Sequence, residues 1–171
     1  MKLNDSPLIL TLKLDQDSFA VFDKLRRENF PPERNFLSAH LTLFHALPGE
    51  QEDSIKQTLT EVCAKTQSLA LAFQRLRFLG KGVAVEVECP ELVQFRKKLM
   101  IGWSEWLTAQ DQQNIRPHVT IQNKVAPDQA RELFERLAPA WQMSDGCGEG
   151  CQLWYYLNGP WKLADEFLFA G

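Results

Sequence analysis

Leu8, Leu10, Leu12 and Leu14 alternate with Ile9, Thr11 and Lys13, the period-two pattern of a strand. The period then changes. In "DSFAVFDKLRRENF", Phe19, Phe22 and Leu25 fall on one helical face, with Asp17 or Ser18 as the cap. "PPERN" reads as a loop bounded by Pro31 and Pro32. A short strand follows from about Ala39 to Ala46. Next comes a helix over "EDSIKQTLTEVCAKT" with Ile55, Leu59 and Val62 inward, then a strand over "LALAFQRLRFLG" that ends at Gly80.

The same order then starts again. "GVAVEVE" alternates as a strand, and "PELVQFRKKLMIGWSEWL" reads as a helix with Pro90 in its first turn. After the polar loop "TAQDQQNIRP" come a short strand and a helix over "APDQARELFERLAPA", with Leu133, Phe134 and Leu137 clustered. The tail reads as two or three strands separated by turns at "DGCGEG" and "NGP". The matched order predicts an internal repeat within one domain over 1–171, the copies spanning about 7–80 and 81–171. A pseudo-twofold axis would bring equivalent strands face to face.

Each copy carries one short polar pattern: His40-Leu41-Thr42-Leu43 and His118-Val119-Thr120-Ile121. Side chains alternate along a strand, so His40 shares a face with Thr42, and His118 with Thr120. The aliphatic faces can be covered by the following helices, which leaves the His/Thr faces to line a cleft. By the same parity Phe44 and Gln122 fall on the cleft faces, and His45 falls on the other if the strand stays regular. Two imidazoles across a cleft are the parts of general acid–base catalysis, one accepting a proton and the other donating one. The threonine hydroxyls can donate to phosphate oxygens where charge develops. A single His on a strand is more often a satisfied structural residue, and Thr is simply a good strand former. Two copies of the tetrad are much harder to produce by accident than one. His45 reads as structural. No carboxylate or cysteine sits at ligand spacing on these strands, so neither a metal nor another cofactor is expected.

Bulk properties narrow the partners. An apolar fraction of 44% in 171 residues is enough for a real core, and a net charge of −3 argues against a broad grip on duplex DNA. The N-terminal stretch lacks a long apolar run, and nothing approaches the ~20 apolar residues of a membrane helix. A cytoplasmic monomer is the simplest expectation. Cys63, Cys89, Cys147 and Cys151 contain no C-x-x-C pair and read as free thiols, although Cys147 and Cys151 flank "GEG" and could bridge two hairpin strands.

"HLTLFHALPGE" and "RPHVTIQNKV" resemble the paired H-x-[ST]-x motifs of the two-histidine (2H) phosphoesterase superfamily, within its 2′-5′ RNA ligase-like group. The resemblance implies a bilobal α+β fold, two antiparallel sheets around a central cleft with helices outside. It implies metal-independent work on 2′,3′-cyclic phosphates or 2′-5′ phosphodiesters of nucleotides or RNA ends. By carry-over His40 and His118 are base and acid, in an order set by substrate and direction, and Thr42 and Thr120 contact the phosphate. Relatives that process RNA ends often have a basic residue just past the second motif. Asn123 stands there in this chain, with Lys124 next as a substitute on the His118 side.

Further substrate-binding candidates are Arg34 and Arg116, in the loops before the tetrads, and Phe44. "LWYYL" adds Trp154 and Tyr156 on one strand face, with Tyr155 on the other. Core packing or a solvated loop is the blander reading for each. Three activities fit: a phosphodiesterase, a 2′-5′ RNA ligase running the same bond in reverse, and a nucleotide- or RNA-binding module without turnover.

Overall fold

In the computed structural model, which describes residues 3–171, the chain runs β1 (Leu8–Leu14), α1 (Gln16–Asn29), β2 (Leu41–Leu47), α2 (Glu52–Ala64) and β3 (Leu69–Phe78). It repeats that order with β4 (Val83–Glu88), α3 (Pro90–Gly102), β5 (His118–Gln122), α4 (Pro127–Leu137) and β6 (Ser144–Tyr156), and closes with β7 (Trp161–Leu168). Strand–helix–strand–helix–strand therefore occurs twice. The cap of α1 is Asp15, not Asp17 or Ser18. Its carboxylate accepts from the Ser18 N–H at 2.9 Å and the Ser18 hydroxyl at 2.7 Å, and also from the Cys147 N–H at 2.7 Å. The third bond favours Asp15 over the two later residues, because it ties the helix start to β6.

The fold is α+β, with an antiparallel seven-stranded sheet in the order β2-β1-β6-β3-β4-β5 and β7 paired to β6. Exchanging the two chain halves maps this order onto itself reversed, so the pseudo-twofold lies between β6 and β3. The two expected sheets are the two arms of this sheet, joined at that pair. Each arm takes its inner strand from the other half of the chain: β6 completes β1 and β2, and β3 completes β4 and β5. The sheet curls until its edge strands β2 and β5 meet.

One sheet face is apolar and packs on the helices. Leu8, Leu10, Leu41, Val83, Val85, Val119, Ile121 and Leu153 join Phe22, Ile55, Leu59, Leu92 and Leu133 in one buried cluster. Each such aliphatic side chain contributes about 1.5–3 kcal/mol. The other face carries Thr11, Lys13, Arg77, Glu86, Gln152 and Trp154.

"DGCGEG" is not a turn. It lies within β6, where its glycines answer close approach rather than chain reversal. A Cβ at Gly150 would collide with the Phe167 carbonyl, and one at Gly146 with the Phe73 ring and the Ser18 hydroxyl. Cys147 and Cys151 consequently follow one another along one strand, and all four cysteines are free. "NGP" does turn, with Asn158 and Gly159 at positive φ (58° and 139°) between β6 and β7. No helix among the described residues is long and apolar enough to cross a membrane.

Candidate active site

Leu41 and Val119, the residues after the two histidines, pair in register with Leu12 and Val85 at corresponding places in the two arms. The two imidazoles are held in the same way. His40 Nδ1 lies 2.7 Å from the Ser38 carbonyl, and His118 Nδ1 lies 2.8 Å from the Arg116 carbonyl. A carbonyl only accepts, so Nδ1 carries the proton in each ring and Nε2 is left with its lone pair. Both rings are half-buried, as are Thr42 and Thr120. Burial, helped by the charges of Arg26, His118 and His45, pushes the His40 pKa down to about 4 against the opposing Ser38 carbonyl. Burial also lowers His118, with Arg77, His45 and Arg116 adding to it and the Arg116 carbonyl opposing.

Two buried arginines brace this arrangement, one from each half. Arg26 of α1 donates through Nε to the Leu37 carbonyl at 3.0 Å and to Asn35 Oδ1 at 2.9 Å, and through Nη1 to the Thr120 carbonyl at 3.0 Å. Arg96 of α3 donates through Nε to the Leu43 carbonyl at 2.7 Å, and through Nη1 and Nη2 to the carbonyls of Gln113 and Asp111 at 3.0 and 2.8 Å. Each guanidinium thus ties the loop before its own motif to the strand of the other motif. Burial lowers the Arg26 pKa to about 10 despite Asp23, which leaves it charged at neutral pH. These cross-links couple the positions of the two histidines.

The strands stop being regular just past each threonine, at the same place in both copies. Thr11 pairs with Thr42 but Leu10 with Phe44, and Ala84 pairs with Thr120 but Val83 with Gln122. At that place one extra residue in each copy makes a bulge and turns the next side chain inward, and β2 has a second irregularity between Phe44 and Leu47. Phe44 is therefore not on the cleft. It is fully buried, edge-on to Trp103 at 5.3 Å and under the Arg96 guanidinium at 4.6 Å. Gln122 is buried too, and its Oε1 has no hydrogen-bond partner. His45, expected opposite to His40 on a regular strand, is exposed instead, and its Nδ1 sits 3.1 Å from Asp111 Oδ1. Asp111 and His45 form no larger cluster: among the described residues no three His, Cys, Asp or Glu side chains are grouped to hold a metal ion.

Beside His40 lies a cavity of about 340 Å³ lined by Phe19, Phe36, Trp154, Trp161, Lys13 and Gln152. The Trp161 ring stands 4.6 Å from the His40 ring and 6.1 Å from Trp154, whose Nε1 donates to Thr11 Oγ1 at 2.9 Å. A second cavity of about 420 Å³ lies beside the loop leading to His118, lined by Arg75, Arg77, Glu86, Glu88 and Arg116. Glu86 accepts from Arg75 at 2.7 Å and Arg116 at 2.8 Å, with Arg77 at 3.8 Å. The Arg77 Nε is buried and without a partner.

Arg116 is therefore brought to the second cavity. Arg34 and Lys124 line neither: Arg34 Nη1 reaches the Lys124 carbonyl at 3.5 Å, and Lys124, at φ 62°, lies in the turn after β5 rather than on the strand. Tyr156 ends β6 opposite Trp161 and lies outside the aromatic cavity, while Tyr155 turns away and donates to Glu52 at 2.6 Å. Sequence reading missed Trp161 and Arg77. A hairpin register across "NGP" would have flagged Trp161. The Arg75–Arg77 pair in a mostly apolar strand would have flagged Arg77.

The match to known proteins spans this same architecture. The model of the family described as the 2′-5′ RNA ligase superfamily matches residues 14–160, which includes both tetrads. Among solved structures, TT0787 of Thermus thermophilus superposes with a TM-score of 0.68 at 14% identity, covering 96% of this chain and 98% of its own. E. coli LigT complexed with 3′-AMP gives 0.64 at 14%, covering 97% and 99%. A structure described as a phosphoesterase gives 0.64 at 16%, again covering 97% and 99%. No protein of curated function matches the chain. The family model takes in most of the sequence and both histidine motifs, and the chain belongs to the 2′-5′ RNA ligase superfamily.

Proposed function

We propose that the protein is a phosphodiesterase that cleaves 2′,3′-cyclic phosphates or 2′-5′ phosphodiester bonds of nucleotides or RNA ends by two-histidine acid–base catalysis. The observation that carries this reading is the matched pair of imidazoles. Each is locked by an Nδ1–H to a main-chain carbonyl, and each presents Nε2 from edge strands that meet. A structural pair would not need the same tautomer twice.

His40, the more strongly depressed, is the neutral base. Its Nε2 takes a proton from water as the water oxygen attacks phosphorus. The bond from phosphorus to the leaving ribose oxygen breaks, and protonated His118 gives its Nε2 proton to that oxygen. A bound phosphate raises His118 from its lowered free-state value by placing negative charge beside it. Thr42 and Thr120 donate to the non-bridging oxygens. The aromatic cavity beside His40 suits a stacked nucleobase, and the arginines beside His118 suit phosphate oxygens. E. coli LigT has been crystallised with 3′-AMP, phosphate, NADP+ and ATP, which supports a nucleotide as ligand here.

The test is turnover of a 2′,3′-cyclic mononucleotide, with the product isomer read by phosphorus NMR across pH. A bell-shaped rate profile lost in both His40→Ala and His118→Ala supports the reading. Ligation of 2′-OH and cyclic-phosphate ends without hydrolysis favours the reverse reaction on the same residues. Binding with no turnover at any pH favours a recognition module.

A further inference from the structure

The bulge in β2 also redirects the third histidine. Phe44 enters the core opposite Leu10, and His45 follows on the side away from it. Its side chain is 43% exposed, yet it leans on a carboxylate that is 0% exposed. Asp111 accepts four short contacts: the His45 N–H at 2.9 and 3.0 Å, the Ala46 N–H at 2.9 Å, and the His45 ring at 3.1 Å. Burial works to raise Asp111, but the bonds from the His45 ring and these N–H groups hold its carboxyl below the ordinary value. The carboxylate is an anion out of water, and Arg96 grips its main-chain carbonyl at 2.8 Å.

Backbone N–H groups alone would fasten this loop to β2. The ring contact adds something else: it fixes Nδ1 as the donor toward Asp111 and turns Nε2 outward. After the bulge has turned Phe44 inward, alternation returns His45 to the exposed side of β2, the side that Thr42 shares. The repeat has no second copy of this device. Asn123, at the corresponding place after His118, gives its side-chain oxygen to the neighbouring Lys124 N–H at 2.8 Å.

We infer that His45, oriented by Asp111, binds the phosphate next to the scissile one, making the preferred substrate an oligonucleotide end rather than a mononucleotide. This rests on the phosphodiesterase reading for the position of the scissile phosphate. Thr42 holds that phosphate, and His45 lies three residues on, which the bulge shortens to about two strand rises, roughly 7 Å. A protonated ring donates from both nitrogens, one to the carboxylate and one to an anion in the cleft.

The experiment compares three substrates: a 2′,3′-cyclic mononucleotide, a dinucleotide with the same cyclic end, and that dinucleotide with a neutral methylphosphonate linkage. The wild type favours the charged dinucleotide through KM. In His45→Ala that preference falls about tenfold with kcat for the dinucleotide little changed, and the charged and neutral dinucleotides become alike. Asp111→Asn moves the preference in the same direction. His45→Gln, which keeps a hydrogen-bonding side chain, guards against a folding defect and also loses the preference. An unchanged preference in His45→Ala, or an equal loss on all three substrates, overturns the assignment. If the wild type turns over none of them, the activity reading falls instead, and the same comparison is made by calorimetric titration of charged and neutral 3′-phosphorylated dinucleotides.

Discussion

The two halves of the cleft hold the same chemistry in different surroundings. On the His40 side the neighbours are Trp154, Trp161 and Phe36; on the His118 side they are Arg75, Arg77, Glu86 and Arg116. Strand registers show how local the divergence is. Lys13 and Glu86 stand at corresponding positions one residue past Leu12 and Val85, and Gln152 corresponds to Arg77. What stayed alike is what the proposed proton transfers would require: the histidine, the threonine, the carbonyl under Nδ1 and the arginine brace. What diverged is the lining of the two cavities, as the proposed nucleotide substrate, which has no twofold symmetry, would require.

The largest effect expected is on the shared part. His40→Ala and His118→Ala should each lower turnover by ~10²–10⁴-fold while the melting temperature stays near wild type. A large loss from one and none from the other would show that the halves are not chemical partners. The brace should be symmetric as well. Arg26→Met and Arg96→Met each strand several buried carbonyls and should cost about 2–4 kcal/mol in denaturant unfolding. A much smaller cost for one would mean that its half is held otherwise.

The divergent part should respond unequally. Trp161→Ala should raise KM for a cyclic nucleotide by roughly 5–150-fold, the worth of one stacked base, and should matter only for substrates that carry a base. Arg77→Gln should raise KM by a smaller factor, about tenfold, regardless of base. If Arg77→Gln shows base dependence and Trp161→Ala shows none, the two cavities have been assigned the wrong way round.

The smallest effect is one of position on the pH axis. A base must be unprotonated, so kcat/KM falls as pH drops through the His40 pKa, near 4. An acid must be protonated, so kcat/KM falls again as pH rises through the His118 pKa, which lies below the ordinary histidine value. The bell for the free protein should therefore centre on the acid side of about 6.5, and the bell for kcat should shift upward once phosphate is bound. An alkaline limb of kcat/KM above neutrality would exchange or remove these roles.

Much of this was legible in the chain. Period-two runs around Leu8–Leu14 and Val83–Glu88, separated by helical periods, gave the element order because each pattern is local. The tetrads stood out because histidine is rare in the sequence. Phe44 and His45 were misplaced for a definite reason: a bulge depends on the partner strand, here Leu10 and Thr11, and leaves no mark in its own residues. The glycines of "DGCGEG" serve Phe73 and Phe167, which are remote in sequence, so a turn was the natural local reading. Trp161 reaches the cavity beside His40 only through hairpin pairing, and Asp111 reaches His45 only through a loop that Arg96 anchors.

The exchange of inner strands sets a limit on how this molecule can be divided. A polypeptide stopping at Gly80 would hold β3 with neither β4 nor β6 to hydrogen-bond, and β1 with one flank bare. Such a fragment finds its missing neighbours only in its other half or in a second copy of itself. A half-length chain would have to dimerise to complete its sheet, and the two histidine motifs facing one another would then belong to separate polypeptides.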